Sequence, residues 1–95
     1  MMSREEILSF LNTNKAFMQK LLKVTKIGLF GSFATGENTN DSDIDIIVSM
    51  PPSFGGFYRL KEYLEDNLKT PIDLGLSENL RELVREHIAN EIIYV

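Results

Sequence analysis

Cysteine is absent from the 95-residue chain. Neither a disulfide framework nor a thiolate metal site can therefore form, and any metal must be a hard cation held by oxygen, which means magnesium, calcium or manganese. Long apolar runs are also missing. Nothing approaches the roughly 18–20 residues of a membrane span, and the opening MMSREEIL lacks the basic-then-apolar pattern of a secretory signal. A cytoplasmic chain with no membrane contact is expected. Basic residues are few and scattered, ten Lys and Arg against fourteen Asp and Glu for a net charge of −4. Direct nucleic-acid binding is not expected, because it draws most of its affinity from clustered cations. No repeat, low-complexity segment or linker interrupts the sequence, so residues 1–95 read as a single domain around one core.

What is present alternates between helical and strand patterns. Ser3 and Glu6 form a capping box, followed by Ile7, Leu8 and Leu11 on one helical face, which predicts a helix over about residues 4–12. Asn12-Thr13-Asn14 is expected to interrupt it before a helical pattern resumes over 15–22. Lys26–Phe30 is a short apolar strand stopped by Gly31, with Ser32 as the expected N-cap of a brief turn of helix ending at Gly36. The polar run 37–41 is a loop, and Ile44–Met50 is a second strand ended by Pro51-Pro52. Phe57, Leu60, Leu64 and Leu68 set the buried stripe of a helix over about 54–69. Pro71–Leu76 is a third strand, and a last helix from Ser77 or Glu78 carries Leu80, Leu83, Val84, Ile88 and Ile92 inward. Helices alternating with short strands predict an α/β fold, a small three-to-four-stranded mixed sheet with helices packed against it.

The chemistry concentrates in FGSFATGENTNDSDIDIIV, residues 30–48. Side chains alternate along a strand, so Asp43 and Asp45 share one face while Ile44 and Ile46 share the other. Two carboxylates so close repel unless a cation lies between them or one stays protonated. Asp73, flanked by Ile72 and Leu74, completes an oxygen cage if its strand pairs beside Ile44–Met50. Three aspartates suffice for magnesium, which completes its shell with water and substrate phosphates. Gly31-Ser32 supplies the other half: glycine permits close approach of backbone to a ligand, and free N–H groups in the following turn attract phosphate oxygens. Taken alone, Gly31-Ser32 is a turn and cap, and Asp43 with Asp45 is a solvated strand entrance. Together they describe an anion cradle beside a cation cage, the needs of a magnesium nucleoside triphosphate. His87 reads as a surface residue and Tyr58, Tyr63 and Tyr94 as packing residues.

Gly31-Ser32, ten residues, then Asp43-Ile44-Asp45 resembles the signature of the DNA polymerase beta-like nucleotidyltransferase superfamily, and the chain is similar to its minimal members, the MNT-domain proteins. REEIL, GLFGS, SDIDIIV, PIDL and LRELVREHIANEIIYV extend the likeness along nearly the whole sequence. The resemblance implies a nucleotidyltransferase fold and transfer of a nucleoside monophosphate, here AMP from Mg-ATP, to a hydroxyl with release of pyrophosphate. Carried over, Asp43 and Asp45 hold magnesium, Gly31 and Ser32 hold the triphosphate, and Asp73 binds metal and deprotonates the acceptor. MNT proteins often serve as antitoxins to HEPN-domain toxin ribonucleases, some adenylylating a tyrosine of the toxin. With no second domain to present an acceptor, this chain is expected to use a HEPN-type toxin or another helical partner. Thr35 departs from the family run GSxARG, which has arginine there; Lys26, Arg59 and Lys61 are candidates to replace that cation. Two other readings follow: an antitoxin that neutralises by complex formation alone, and a transferase subunit serving a small molecule or RNA end.

Overall fold

The computed structural model describes residues 2–51, 55–79 and 90–95. Helix α1 (Arg4–Leu22) begins at the expected capping box: the Ser3 hydroxyl accepts the Glu6 N–H at 3.1 Å, and Glu6 Oε1 accepts the Ser3 N–H at 3.0 Å. Contrary to the expected break at Asn12–Asn14, α1 runs unbroken for 19 residues and ends at Lys23, in the left-handed region with φ 60°. Tertiary contacts explain the difference. Asn14 Nδ2 donates to Phe10 C=O at 2.9 Å, while Asn14 Oδ1 accepts from the Tyr63 hydroxyl at 2.8 Å. The amide that would compete with the helix in isolation is thus fully engaged.

Strand β1 (Lys26–Phe30) leads through Gly31 into α2 (Ser32–Thr35), and β2 (Ile44–Ser49), α3 (Gly56–Leu68) and β3 (Ile72–Leu76) follow. A 3-10 turn (Ser77–Asn79) comes next, and strand β4 (Ile93–Tyr94) closes the described chain. The N-cap of α2 is Gly31 rather than Ser32, which is the first helical residue and caps nothing with its side chain. The sheet order is β3-β2-β1-β4, with β2 and β3 parallel and the other pairs antiparallel. A parallel pair requires a crossover, and α3 supplies it.

One face of the sheet is covered by α1 and α3. Ile7, Leu11 and Met18 of α1 and Leu60, Leu64 and Leu68 of α3 are buried against Ile27, Leu29, Ile44, Ile46 and Val48. Tyr63 has the expected packing role, its ring 5.2 Å from that of Phe17 and 6.0 Å from that of Phe10.

One expectation changes at the C-terminal side. Ile92 is not on a helical face: it is half-buried in the link before β4, the fourth strand. Its side chain lies over Gly28, where an added Cβ would meet Ile92 Cγ2 at 2.7 Å. Leu80, Leu83, Val84, His87 and Ile88 lie outside the described residues. Among the described residues no helix is long and apolar enough to cross a membrane.

Candidate active site

Antiparallel pairing sets Phe30 level with Asp45, so the turn that leaves β1 passes directly beside the Asp45 carboxylate. Gly31 is required there on two grounds. Its φ of 74° disfavours an L side chain, and a Cβ in that position would overlap Asp45 Oδ2. Gly31 C=O accepts the N–H groups of Ala34 and Thr35 at 3.0 and 3.1 Å. Those of Ser32 and Phe33 have no backbone acceptor among the described residues and form, with the Ser32 hydroxyl, the donor set of the turn.

The three aspartates come from two neighbouring strands. In the parallel ladder Asp45 is in register with Asp73, and both project from the sheet face opposite α1 and α3. Asp45 is half-buried, while Asp43, just before β2, and Asp73 are exposed. Burial, then the charge of Asp73 and a hydrogen bond with it, then the charge of Asp43 push the Asp45 carboxyl up to about 6. The expected juxtaposition of Asp45 and Asp73 is therefore present, the two residues level on neighbouring strands. Among the described residues no three carboxylates are already closed into a metal-ligating group, and Arg4–Glu5 is the one ion pair. The donor set fits a hard divalent cation: it is all oxygen, carries unpaired negative charge, and has two exposed members free to turn toward an ion.

The loop entering β2 is ordered by its own hydroxyls. Ser42 Oγ accepts the Thr39 N–H at 2.8 Å, and Thr39 C=O accepts the Ser42 N–H at 3.1 Å. Asn40, Asp41 and Ser42, the residues before Asp43, line a cavity of about 440 Å³ together with Phe33, Lys69 and Thr70.

Thr35 is exposed, and its hydroxyl donates to Ser32 C=O at 3.3 Å within its own turn. Lys26 does not replace the arginine: it lies at the far end of β1, its ammonium 4.8 Å from the centre of the Tyr94 ring. Arg59 and Lys61 are on α3, across the sheet from Asp45. Sequence reasoning did not single out Arg4, whose Nη1 donates to Ala34 C=O at 3.0 Å and braces α2 from α1. Its one sequence clue is membership of the REEIL opening.

A glycine turn packed against a carboxylate pair, on a mixed sheet crossed by α3, defines a nucleotide-transferring protein. Comparison with known proteins agrees. Residues 11–95 match the nucleotidyltransferase domain, and the chain belongs to that family. It is 37% identical over 97 residues to the protein adenylyltransferase MntA of Thermococcus cleftensis, covering 100% of this chain and 98% of the relative. A solved structure provisionally described as a minimal nucleotidyltransferase superposes with a TM-score of 0.82 at 26% identity, over 97% of this chain and 95% of the other. The fold is also shared, at a TM-score of 0.59 and 22% identity, with a structure of a tri-AMPylated Shewanella oneidensis HEPN toxin in complex with an MNT antitoxin. That match covers 90% of this chain and 69% of the other.

Proposed function

We propose that this chain transfers AMP from Mg-ATP to a hydroxyl on a partner protein, a HEPN-domain toxin, and so acts as its antitoxin. One observation carries the reading: a Cβ added at Gly31 would strike the Asp45 carboxylate, and Asp45 is level with Asp73 across the parallel ladder. Phosphate donors and cation acceptors are thereby brought within one turn of each other.

In this reading the free N–H groups of Ser32 and Phe33 and the Ser32 hydroxyl hold the triphosphate, with Gly31 allowing its approach. Asp43 and Asp45 hold magnesium with help from Asp73, and the bound ion would offset the charge that develops on the transferring phosphate and on pyrophosphate. Asp73, exposed on the edge strand, takes the proton of the attacking hydroxyl. Arg4 holds α2, and with it the donor turn, against α1. The names of the relative and of the toxin complex support the choice of AMP and of a HEPN partner.

A second reading, an antitoxin that neutralises by binding alone, is favoured by Thr35 and by the lack of any described ion pair to the site aspartates. Intact-mass spectrometry separates the two. The HEPN partner is incubated with this chain, ATP and magnesium, alongside an Asp43→Asn/Asp45→Asn control. A gain of adenylyl units that vanishes in the control supports transfer. A stable complex with no mass gain overturns transfer and leaves the binding antitoxin.

A further inference from the structure

The order β3-β2-β1-β4 makes β3, the strand of Asp73, an edge. The phase of its ladder is fixed by one bond: Ile44 N–H donates to Pro71 C=O at 2.9 Å. In a parallel pair this turns the backbone groups of Pro71, Asp73 and Gly75 toward β2 and those of Ile72, Leu74 and Leu76 outward. Glu65 of α3 takes the outward N–H of Ile72 at 3.2 Å and so stops the open edge at that end. Beyond it, Leu74 has no backbone partner outside the sheet among the described residues. Asp73 and Gly75 present their side-chain positions on the same face as Asp45, and an added Cβ at Gly75 would meet nothing within 4 Å.

We infer that the acceptor is an extended polypeptide segment that adds to the free edge of β3 through Leu74, and that places a tyrosine over Gly75 with its hydroxyl at Asp73. The inference rests on the adenylyl-transfer reading above and specifies how its acceptor docks. Strand addition satisfies the outward backbone groups of Leu74 without requiring a particular side-chain sequence. The residues of the added strand level with Asp73 and Gly75 then carry their side chains on the reaction face, whichever way the strand runs. Strands lie about 4.8 Å apart, so that backbone is roughly 9–10 Å from β2 and Asp45. A serine or threonine hydroxyl stays near its own strand; a tyrosine ring crosses the open space above Gly75. The phenol oxygen forms the new bond to the α-phosphorus of ATP, the bond from that phosphorus to the bridging oxygen breaks, pyrophosphate leaves, and the phenol proton passes to Asp73.

The test uses this chain, Mg-ATP and the probe peptide Val-Thr-Val-Tyr-Val-Thr, with backbone N-methyl groups introduced one position at a time. Labelling should fall at least ~10-fold, the loss of about one hydrogen bond, at every second position and stay unchanged between. Its phase reports the strand direction, and the serine-for-tyrosine peptide should remain unlabelled. Gly75→Val, which fits a strand and whose Cβ meets nothing within 4 Å, should lower kcat/KM for the peptide by ~10-fold or more while ATP binding and melting temperature stay as in the parent. Labelling with no period-two pattern and no effect of Gly75→Val would overturn the edge docking and leave adenylyl transfer intact. An unlabelled peptide beside a labelled partner protein would do the same. No label on either, with ATP bound, would overturn the transfer reading and this inference with it.

Discussion

Replacing Asp45 by asparagine should make the metal-free protein more stable at neutral pH while abolishing transfer. The Asp45 carboxyl titrates near 6 in the folded chain against an ordinary value of 3.8, because burial and the neighbouring Asp73 and Asp43 disfavour its charge. Between about pH 4 and 6 the folded chain keeps a proton that the unfolded chain has already released, so stability falls as pH rises through this window. At 1.36 kcal/mol per pH unit the full difference is about 3 kcal/mol. Asp45 is only half-buried, and solvent screening reduces the cost to roughly 1–2 kcal/mol above pH 6. Asparagine cannot ionise and avoids that cost. Thermal melts from pH 4 to 8 in a chelator should show the variant gaining on the parent up to pH 6, then holding an advantage of roughly 4–12 °C. Magnesium should raise the melting temperature of the parent and leave the variant nearly unmoved. Parallel pH profiles for the two proteins would refute the reasoning, since they would mean that Asp45 is no less willing to ionise in the fold than out of it.

Other substitutions address the scaffold. Gly31→Ala should cost roughly 2 kcal/mol or more by urea unfolding and weaken ATP binding, because a methyl there meets both an unfavourable φ and Asp45 Oδ2. Ser3→Ala should remove about 1 kcal/mol by the same measurement with little change in ATP binding, as it affects only the capping box. Tyr63→Phe should cost about 0.5–1.5 kcal/mol, since it deletes the hydrogen bond to Asn14 and keeps the rings packed.

Periodicity carried the helices and strands whose apolar positions repeat, and residue pairing carried the carboxylates. Ile44 and Ile46 had to point into the core, so Asp43 and Asp45 had to point the other way, whereas bringing Asp73 level with Asp45 also required the parallel register of β2 and β3, which the sequence leaves open. What escaped depends on partners distant in sequence. The continuity of α1 through Asn14 is decided by Tyr63, 49 residues away. The brace from Arg4 reaches across 30 residues to a backbone carbonyl, which any sequence supplies. Strand β4 is two residues long, too short to show alternation, and exists because Gly28 leaves room for Ile92 and Tyr94 above β1. Ser32 looked like the cap of α2, but the cap must take a positive φ, and only its glycine neighbour does so readily.

The parallel pairing of β2 with β3 bears on the order in which the protein comes together and apart. Hairpin-like β1 and β2 can meet early, whereas β3 reaches its place only after α3 has folded back. Seating β3 also brings Asp73 level with Asp45, so in the absence of cation this strand joins against the repulsion of the two carboxylates. Detachment of β3 is a local opening that this repulsion makes easier, and one that disperses the site as a unit. In the proposed reading a metal nucleotide held by Asp45 and Asp73 would grip both strands and act as a latch on β3. Occupancy of the site and protection of this edge from proteolysis are then two views of one equilibrium.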